Sequence, residues 1–206
     1  MEIIEVVATA HNGILNQKTY VLIKGKNAII IDAGAELEDV KKVVQNKKVL
    51  AVLITHCHFD HIWCVEDYLK EWNIPVYISS GAEEKFLDPY KNCSNIIGDK
   101  KVFDIENEKI KHHEDNLKIG NFDIEVIKTP GHSADLVSFL IEKNLFSGDL
   151  VLGRSIGRTD LYDSDDRDMW DSLEKLEKID FQMAYPGHYE PMTKQETLKC
   201  FKYDFI

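Results

Sequence analysis

Thr55-His56-Cys57-His58-Phe59-Asp60-His61 is the stretch of this 206-residue chain that decides its fold. It directly follows the continuous apolar run 49–54, which predicts a buried strand. Apolar side chains then recur at helical spacing over 62–72 and predict one helix, which Pro75 ends. The stretch is therefore expected in a loop that leads from a strand into a helix.

The spacing within this stretch is typical of a metal site. His56 and His58 are two residues apart, so in an extended segment both side chains point the same way, while Cys57 points oppositely. Asp60 and His61 follow at the turn into the helix, where a second ion can be held. One isolated histidine is usually a surface or core residue, and Asp60 alone would suit a helix N-cap. Taken together, the residues predict metal binding, and imidazole and carboxylate suit zinc, iron or manganese.

Three further polar residues directly follow predicted strands. They are His132 after the strand 122–127, Asp149 after the hairpin 137–146, and His188 after the strand 182–185. Loops at one edge of a sandwich could bring these residues to the stretch 55–61. Both halves of the chain have strands first and helices after, which predicts two sheets packed face to face with helices outside.

The remaining histidines and the cysteines are given no metal-binding role. His11, in a loop after the first strand, and His112 and His113, in a charged stretch, are interpreted as solvated, although His11 could reach the same edge. The four cysteines form no CxxC pair and are interpreted as reduced thiols. Cys57 is expected to be a buried thiol that faces away from the metal, rather than a nucleophile.

Composition narrows the class of protein. Asp plus Glu exceed Lys plus Arg, 36 to 25, so the net charge is −11 and nucleic acid is a poor partner. The start of the chain lacks the features of a signal peptide, and no apolar run approaches membrane-spanning length. We expect one domain over 1–206, cytoplasmic, with no membrane partner.

With these segments in place, the chain resembles a known family. The stretch 55–61, followed in order by Gly131-His132, Gly148-Asp149 and Gly187-His188, is similar to the metallo-β-lactamase superfamily signature over nearly the whole chain. The resemblance implies an α/β fold: a four-layer αβ/βα sandwich of two mixed sheets with helices on the outer faces. It implies that Asp149 bridges two ions, the first held by His56, His58 and His132, and the second by Asp60, His61 and His188.

The resemblance also implies a chemistry. Two divalent ions, zinc first and iron or manganese as alternatives, would give the site a charge of about plus one with a shared hydroxide, which favours a small anionic substrate. That hydroxide would attack a carbonyl, with Asp60 orienting it. Class B β-lactamases usually lack the bridging aspartate, so Asp149 indicates the glyoxalase II-like (hydroxyacylglutathione hydrolase-like) branch and a thioester or ester substrate.

Substrate contacts are less defined. Arg158 lies in a segment, 154–161, that resembles the Gly-Arg-Thr-Asp segment of short glyoxalase II-like hydrolases and of persulfide dioxygenases. It could bind a substrate carboxylate or pair internally with Asp160 or Asp163. Tyr189, next to His188, could line the pocket. We expect the C-terminal helical domain with which full-length glyoxalase II enzymes grip glutathione to be absent, which leaves the thiol open.

Other functions remain open at this stage. The runner-up is a persulfide dioxygenase in which His56, His132 and Asp149 hold one iron. A lactonase and a non-catalytic binding module are further alternatives, although a binding module would be expected to have lost metal ligands and all seven are present. The native metal, the acyl group and the oligomeric state are not predicted.

Overall fold

The computed structural model describes residues 1–8 and 16–202, and within them two six-stranded mixed sheets. In the first sheet the strands are adjacent in chain order. They are β1 (Glu2–Val7), β2 (Lys18–Lys24), β3 (Asn27–Ile31), β4 (Lys48–Leu53), β5 (Val76–Ile78) and β6 (Ile110–His112). β1, β2 and β3 pair antiparallel, and β3 to β6 pair parallel.

The second sheet is built from the later half of the chain. The later strands are β7 (Asn116–Ile119), β8 (Phe122–Lys128), β9 (Val137–Ile141), β10 (Asn144–Gly148), β11 (Val151–Leu152), β12 (Ser155–Ile156), β13 (Met183–Pro186) and β14 (Met192–Thr193). The sheet has the order β14-β13-β10-β9-β8-β7, with β10 and β13 parallel and the other pairs antiparallel. β11 and β12 form a separate small hairpin.

Helices cover the outer faces of the two sheets. They are α1 (Leu37–Val44), α2 (Phe59–Ile62), α3 (Val65–Trp72), α4 (Glu83–Leu87), α5 (Asp166–Lys178) and α6 (Lys194–Lys202). Val40 of α1 and Val65 of α3 lie in one apolar cluster with Val21 of β2. Leu173 of α5 lies in another apolar cluster, on the second sheet. None of the helices in the described part of the chain is long and apolar enough to cross a membrane.

The space between the two sheets is filled by side chains from both. Leu22 and Leu53 of the first sheet lie in one apolar cluster with Phe122 and Phe139 of the second. Because successive side chains of a strand point to opposite faces, Val21 meets the helices while Leu22 meets the other sheet. The predicted α/β sandwich of two mixed sheets with outer helices is confirmed.

Two local predictions are wrong, and one strand was not predicted. The single helix over 62–72 is broken, because the N–H of Cys64 donates to the carbonyl of Ala33 at 2.8 Å instead of continuing the helix. The sequence of 151–162 predicts a loop, but this segment contains the β11–β12 hairpin. β6 was not predicted, because its short, largely exposed sequence lacks the apolar alternation of a strand and is held as a strand by parallel pairing with β5.

His113, interpreted above as solvated, is instead half-buried and contacts both the segment that follows β4 and the strand β9. Its Nε2 donates to the carbonyl oxygen of Ile54 at 3.0 Å, and its ring lies 5.1 Å from that of Phe139 in an edge-on arrangement. Burial lowers the pKa of His113 from 6.5 to about 4. His112 remains exposed, beside Glu83.

This burial makes stability depend on pH. Below pH 6.5 the unfolded chain takes up a proton at residue 113 that the folded protein binds only near pH 4, so stability is lost as the pH falls. Between pH 7 and pH 5 we expect a cost of about 2 kcal/mol at about 1.4 kcal/mol per pKa unit. Urea unfolding of the metal-free wild type and His113→Gln, which keeps a donor for Ile54, measures the difference. An equal fall in stability for both proteins would contradict this prediction.

Candidate metal centre

Seven side chains from four segments of the chain meet at one edge of the sandwich. Three groups of their nitrogen and oxygen atoms lie within 4.8 Å of one another, as metal ligands do. The groups are His56 with His58 and His132, then His56 with His61 and Asp149, and then Asp60 with His61 and His188. The structure therefore brings together all seven residues that the sequence singled out.

The first group consists of three imidazoles that face one another. His58 Nδ1 lies 3.0 Å from His56 Nε2 and 2.9 Å from His132 Nε2. All three side chains are buried, His132 and His58 at 3% exposure and His56 at 1%. Three nitrogen atoms at these separations can form one face of a tetrahedral site, which is the geometry that zinc prefers.

The second group, Asp60 with His61 and His188, combines two imidazoles with a carboxylate. His188 Nε2 lies 3.0 Å from Asp60 Oδ2, and His61 Nε2 lies 3.9 Å from the same oxygen. Asp60 lies in the first turn of α2, where the chain changes direction after His58. This change places Asp60 and His61 beside His188, while the ring of His61 also lies 4.1 Å from that of His56.

Asp149 lies between the two groups. Its Oδ1 is 3.2 Å from His61 Nε2, while its Oδ2 is 3.6 Å from His132 Nε2 and 3.5 Å from His188 Nε2. The residue directly follows β10, whose last residue Gly148 has φ +51. A carboxylate that reaches both groups has the position of a bridging ligand.

Neighbouring acceptors decide which imidazole nitrogen faces inward. His61 Nδ1 lies 2.8 Å from Asp32 Oδ2, and His132 Nδ1 lies 2.9 Å from the carbonyl oxygen of Arg158. Since a carboxylate and a carbonyl only accept, each ring carries a proton on Nδ1, which leaves Nε2 as the nitrogen available to a metal ion. The buried Nε2 of His61 and Oδ1 of Asp149 have no hydrogen-bond partner, which fits a metal ion between them.

Burial and charge act in opposite directions on the two groups. Burial lowers the pKa of His58 to about 3, and burial also lowers that of His56, so both rings are neutral, the form that binds metal. For His61, burial alone would lower the pKa, but the carboxylates of Asp32, Asp149 and Asp60 raise it well above its usual value. Negative charge therefore concentrates around the second group.

Close packing leaves no room for side chains behind the ligands. A Cβ added at Gly187 would lie 2.2 Å from Asp149 Oδ1 and 2.5 Å from His61 Cε1. A Cβ at Gly157 would lie 1.9 Å from the carbonyl oxygen of Asp149. Glycine at these positions lets the backbone pass directly against the ligands.

The two predicted substrate residues lie in different surroundings. The exposed guanidinium of Arg158 pairs with Asp160 in a two-pronged contact of 2.6 and 2.7 Å, so the structure favours the internal pair over a substrate contact. Tyr189 is 63% exposed, has φ +66 and lines an open pocket with Gly153 and Met192. His11 lies outside the described residues.

Sequence reasoning correctly placed Cys57 but missed Asp32. The thiol of Cys57 is fully buried, and burial raises its pKa, so it is not prepared for nucleophilic attack. Asp32 directly follows β3, accepts from the N–H of Thr55 at 2.7 Å and orients His61. Its position directly after an apolar strand is the same signal that identified His132, Asp149 and His188.

With this geometry established, comparison with known proteins decides the family. The model of the metallo-β-lactamase superfamily matches residues 12–188. The chain belongs to this superfamily. A relative in Bacillus subtilis, the probable metallo-hydrolase YqgX, is 31% identical over 182 residues, which cover 85% of this chain and 86% of YqgX.

Two solved structures extend the comparison of this superfamily member. The B3 metallo-β-lactamase BLEG-1 has a TM-score of 0.86 and 30% sequence identity, with 95% of each chain covered. A protein solved in a di-iron-bound form, TTHA1623, has a TM-score of 0.82 and 26% identity, with 98% of this chain and 100% of that chain covered. The family and the His/Asp groups together indicate a metallo-hydrolase that binds divalent metal.

Proposed function

We propose that this protein is a dinuclear metal-dependent hydrolase of small thioesters or esters, of the glyoxalase II-like type. The observation that carries the proposal is the position of Asp149, whose Oδ1 faces His61 and whose Oδ2 lies between His132 and His188. A carboxylate in this position would be shared by two ions, by analogy with two-metal hydrolases.

The ligand roles follow from the two groups. His56, His58 and His132 would hold one ion and Asp60, His61 and His188 the other, with Asp149 shared. Two bound ions would lower the pKa of a shared water towards neutrality and polarise the substrate carbonyl.

The protein's own groups orient this chemistry. Asp60 is held ionised, because His61 and His188 more than offset the effect of burial and lower the pKa of its carboxyl group. Its carboxylate is therefore available to accept a hydrogen bond from the attacking water and fix its direction. Asp32 and the carbonyl of Arg158 prevent His61 and His132 from turning.

For the metal, we propose two divalent ions, with zinc as the first candidate because imidazole predominates among the ligands. The di-iron-bound relative supports iron as the alternative. For the substrate, we propose a small anionic thioester. The positive charge of two divalent ions would exceed the negative charge of the Asp60 and Asp149 carboxylates, so the site would attract an anion. Tyr189, exposed beside His188, is the proposed pocket residue.

β-Lactam hydrolysis is the second candidate function. The likeness to BLEG-1, at 30% identity with 95% of each chain covered, favours it. The presence of Asp149 between the two groups favours the thioester, because class B β-lactamases usually lack a bridging aspartate. Persulfide oxidation remains the third candidate.

One substrate panel separates these functions. Purified protein is restored with zinc or with ferrous iron, its metal content is measured, and it is assayed with an acylated glutathione, an activated ester, a β-lactam and a glutathione persulfide. We expect about two ions per chain and a kcat/KM for the thioester at least about tenfold above that for the β-lactam. Chelator-treated protein is the control.

Other outcomes would contradict the proposal. Oxygen uptake with the persulfide, together with one iron per chain, would establish the dioxygenase instead. Faster turnover of the β-lactam than of any thioester would establish the second candidate. A metal-loaded protein that hydrolyses none of the esters, thioesters or lactams would remove the hydrolase assignment.

A further inference from the structure

A buried cluster of charged side chains lies behind the loop between β4 and α2. Lys85 on α4 is 3% exposed, and its Nζ lies 2.6 Å from Asp135 Oδ1 and 2.8 Å from Asp163 Oδ2. The same Nζ donates to Ser133 Oγ at 2.6 Å. One ammonium group therefore joins α4 to two loops that are distant from it in the chain.

This cluster contacts both segments that carry the first histidine group. Asp135 Oδ2 accepts from the backbone N–H of Cys57 at 2.8 Å. Because this peptide lies between His56 and His58, holding it fixes the direction in which both rings project. On the other side, Ser133 directly follows His132, so its contact with Lys85 fixes the backbone next to the third ring.

A buried cluster of this kind fixes the positions of its members more than it stabilises the fold. Burial alone would lower the pKa of Lys85 and raise that of Asp135, but their mutual attraction reverses both shifts, so both are charged near neutral pH. A buried ion pair adds little stability compared with apolar side chains of the same volume, because desolvation offsets the attraction. It does, however, require one geometry, since either charge becomes costly when it leaves the other.

The second group is held by different contacts. His61 is fixed by Asp32, and His188 lies beside Asp60. The backbone N–H of Gly187, next to His188, donates to the carbonyl of Gly148 at 2.9 Å. The contacts that orient the second group thus come from residues other than Lys85 and Asp135.

We propose that Lys85 and Asp135 form a positioning pair that sets the metal affinity of His56, His58 and His132 without setting that of the other group. The inference rests on the two-ion site of the proposed function. It assigns to Lys85 and Asp135 a role that is separate from substrate chemistry.

The test uses two proteins that each keep one group. His188→Ala leaves the first group intact, and His58→Ala leaves the second. Lys85→Met or Asp135→Asn is added to each, and the dissociation constant for Zn²⁺ is measured by competition with a chromogenic chelator. In the His188→Ala background we expect roughly 10- to 100-fold weaker binding. In the His58→Ala background we expect a change of less than about twofold, because the described contacts of Lys85 and Asp135 include no residue of the second group.

Two controls separate positioning from general loosening. Asp135→Asn keeps the volume and an oxygen acceptor for Cys57, and thermal unfolding of the metal-free proteins reports whether they fold. Lys194→Met removes another partly buried lysine, which donates to the carbonyl of Ile179 at 2.6 Å, and should leave both affinities unchanged.

Each contrary result has a distinct meaning. Equal weakening in the two backgrounds, or no weakening in the His188→Ala background, would overturn the positioning role. If the two parent proteins, although folded, bound no Zn²⁺, the two-ion site itself would be contradicted, and the proposed function with it.

Discussion

His58→Ala is expected to release the first ion and to reduce kcat/KM for a thioester on the order of 1000-fold. His58 Nδ1 lies within 3.0 Å of the inward nitrogens of both His56 and His132, so its removal leaves two ligands where three converge. A Lewis-acidic ion contributes several kcal/mol to the transition state, and 1.36 kcal/mol corresponds to a factor of ten. Elemental analysis should find about one ion per chain in the variant, because the second group remains.

His112→Ala is the matched control for this substitution. His112 is exposed and its imidazole lies beside Glu83, so the variant should keep two ions and wild-type turnover. Near-normal activity of His58→Ala with one ion per chain would overturn the assignment of His58 as an essential ligand.

Gly187→Ala is expected to lower kcat/KM on the order of 100-fold, although it adds one methyl group. The new Cβ would lie 2.2 Å from Asp149 Oδ1, a separation that real atoms do not tolerate. The backbone cannot retreat, because Gly187 donates to Gly148 at 2.9 Å and accepts from the N–H of Lys18 at 2.7 Å. Asp149 and His61 must therefore move, and a displacement of about 1 Å costs about 100-fold in rate.

Gly98→Ala has the opposite expected pattern. Gly98 has φ +76 and no heavy atom within 4 Å of an added Cβ, so the substitution strains the backbone by about 1–2 kcal/mol without touching the site. Its metal content and kcat/KM should equal those of the wild type. Measured thermal unfolding, metal content and turnover distinguish the two glycines, and full activity of Gly187→Ala would show that the site tolerates the displacement.

Much of the fold follows from local patterns. The hairpin of β2 and β3 turns at Gly25, where φ is +65, and β9 and β10 turn at Glu142 and Lys143, which both have positive φ. The apolar runs on either side of each turn have strand character and the intervening residues are polar, so the sequence predicts both hairpins. The helical spacing of Leu37, Val40, Val43 and Val44 likewise predicts α1, and a last helix is expected at 194–202; both helices are observed.

The failures arose where a distant segment overrides the local pattern. The helical periodicity of 62–72 ignores the carbonyl of Ala33, which captures the N–H of Cys64 and breaks the helix. His113 has charged neighbours along the chain, yet the packing of the two sheets buries its ring against Phe139. The spacing of the residues around Cys64 and His113 does not indicate either contact.

Sequence alone identified the seven candidate metal ligands and the family, because the spacing of the ligands and the polar residues after apolar strands are local features. Tertiary structure decided the rest. It aims the Nε2 of His61 and His132 inward through Asp32 and the carbonyl of Arg158, and it places Lys85 against Asp135. These contacts join residues 26 to 50 positions apart. Periodicity predicts which face of a helix or strand a side chain occupies. It does not predict which side chains of two different elements come into contact, because that depends on how the sheets and helices pack.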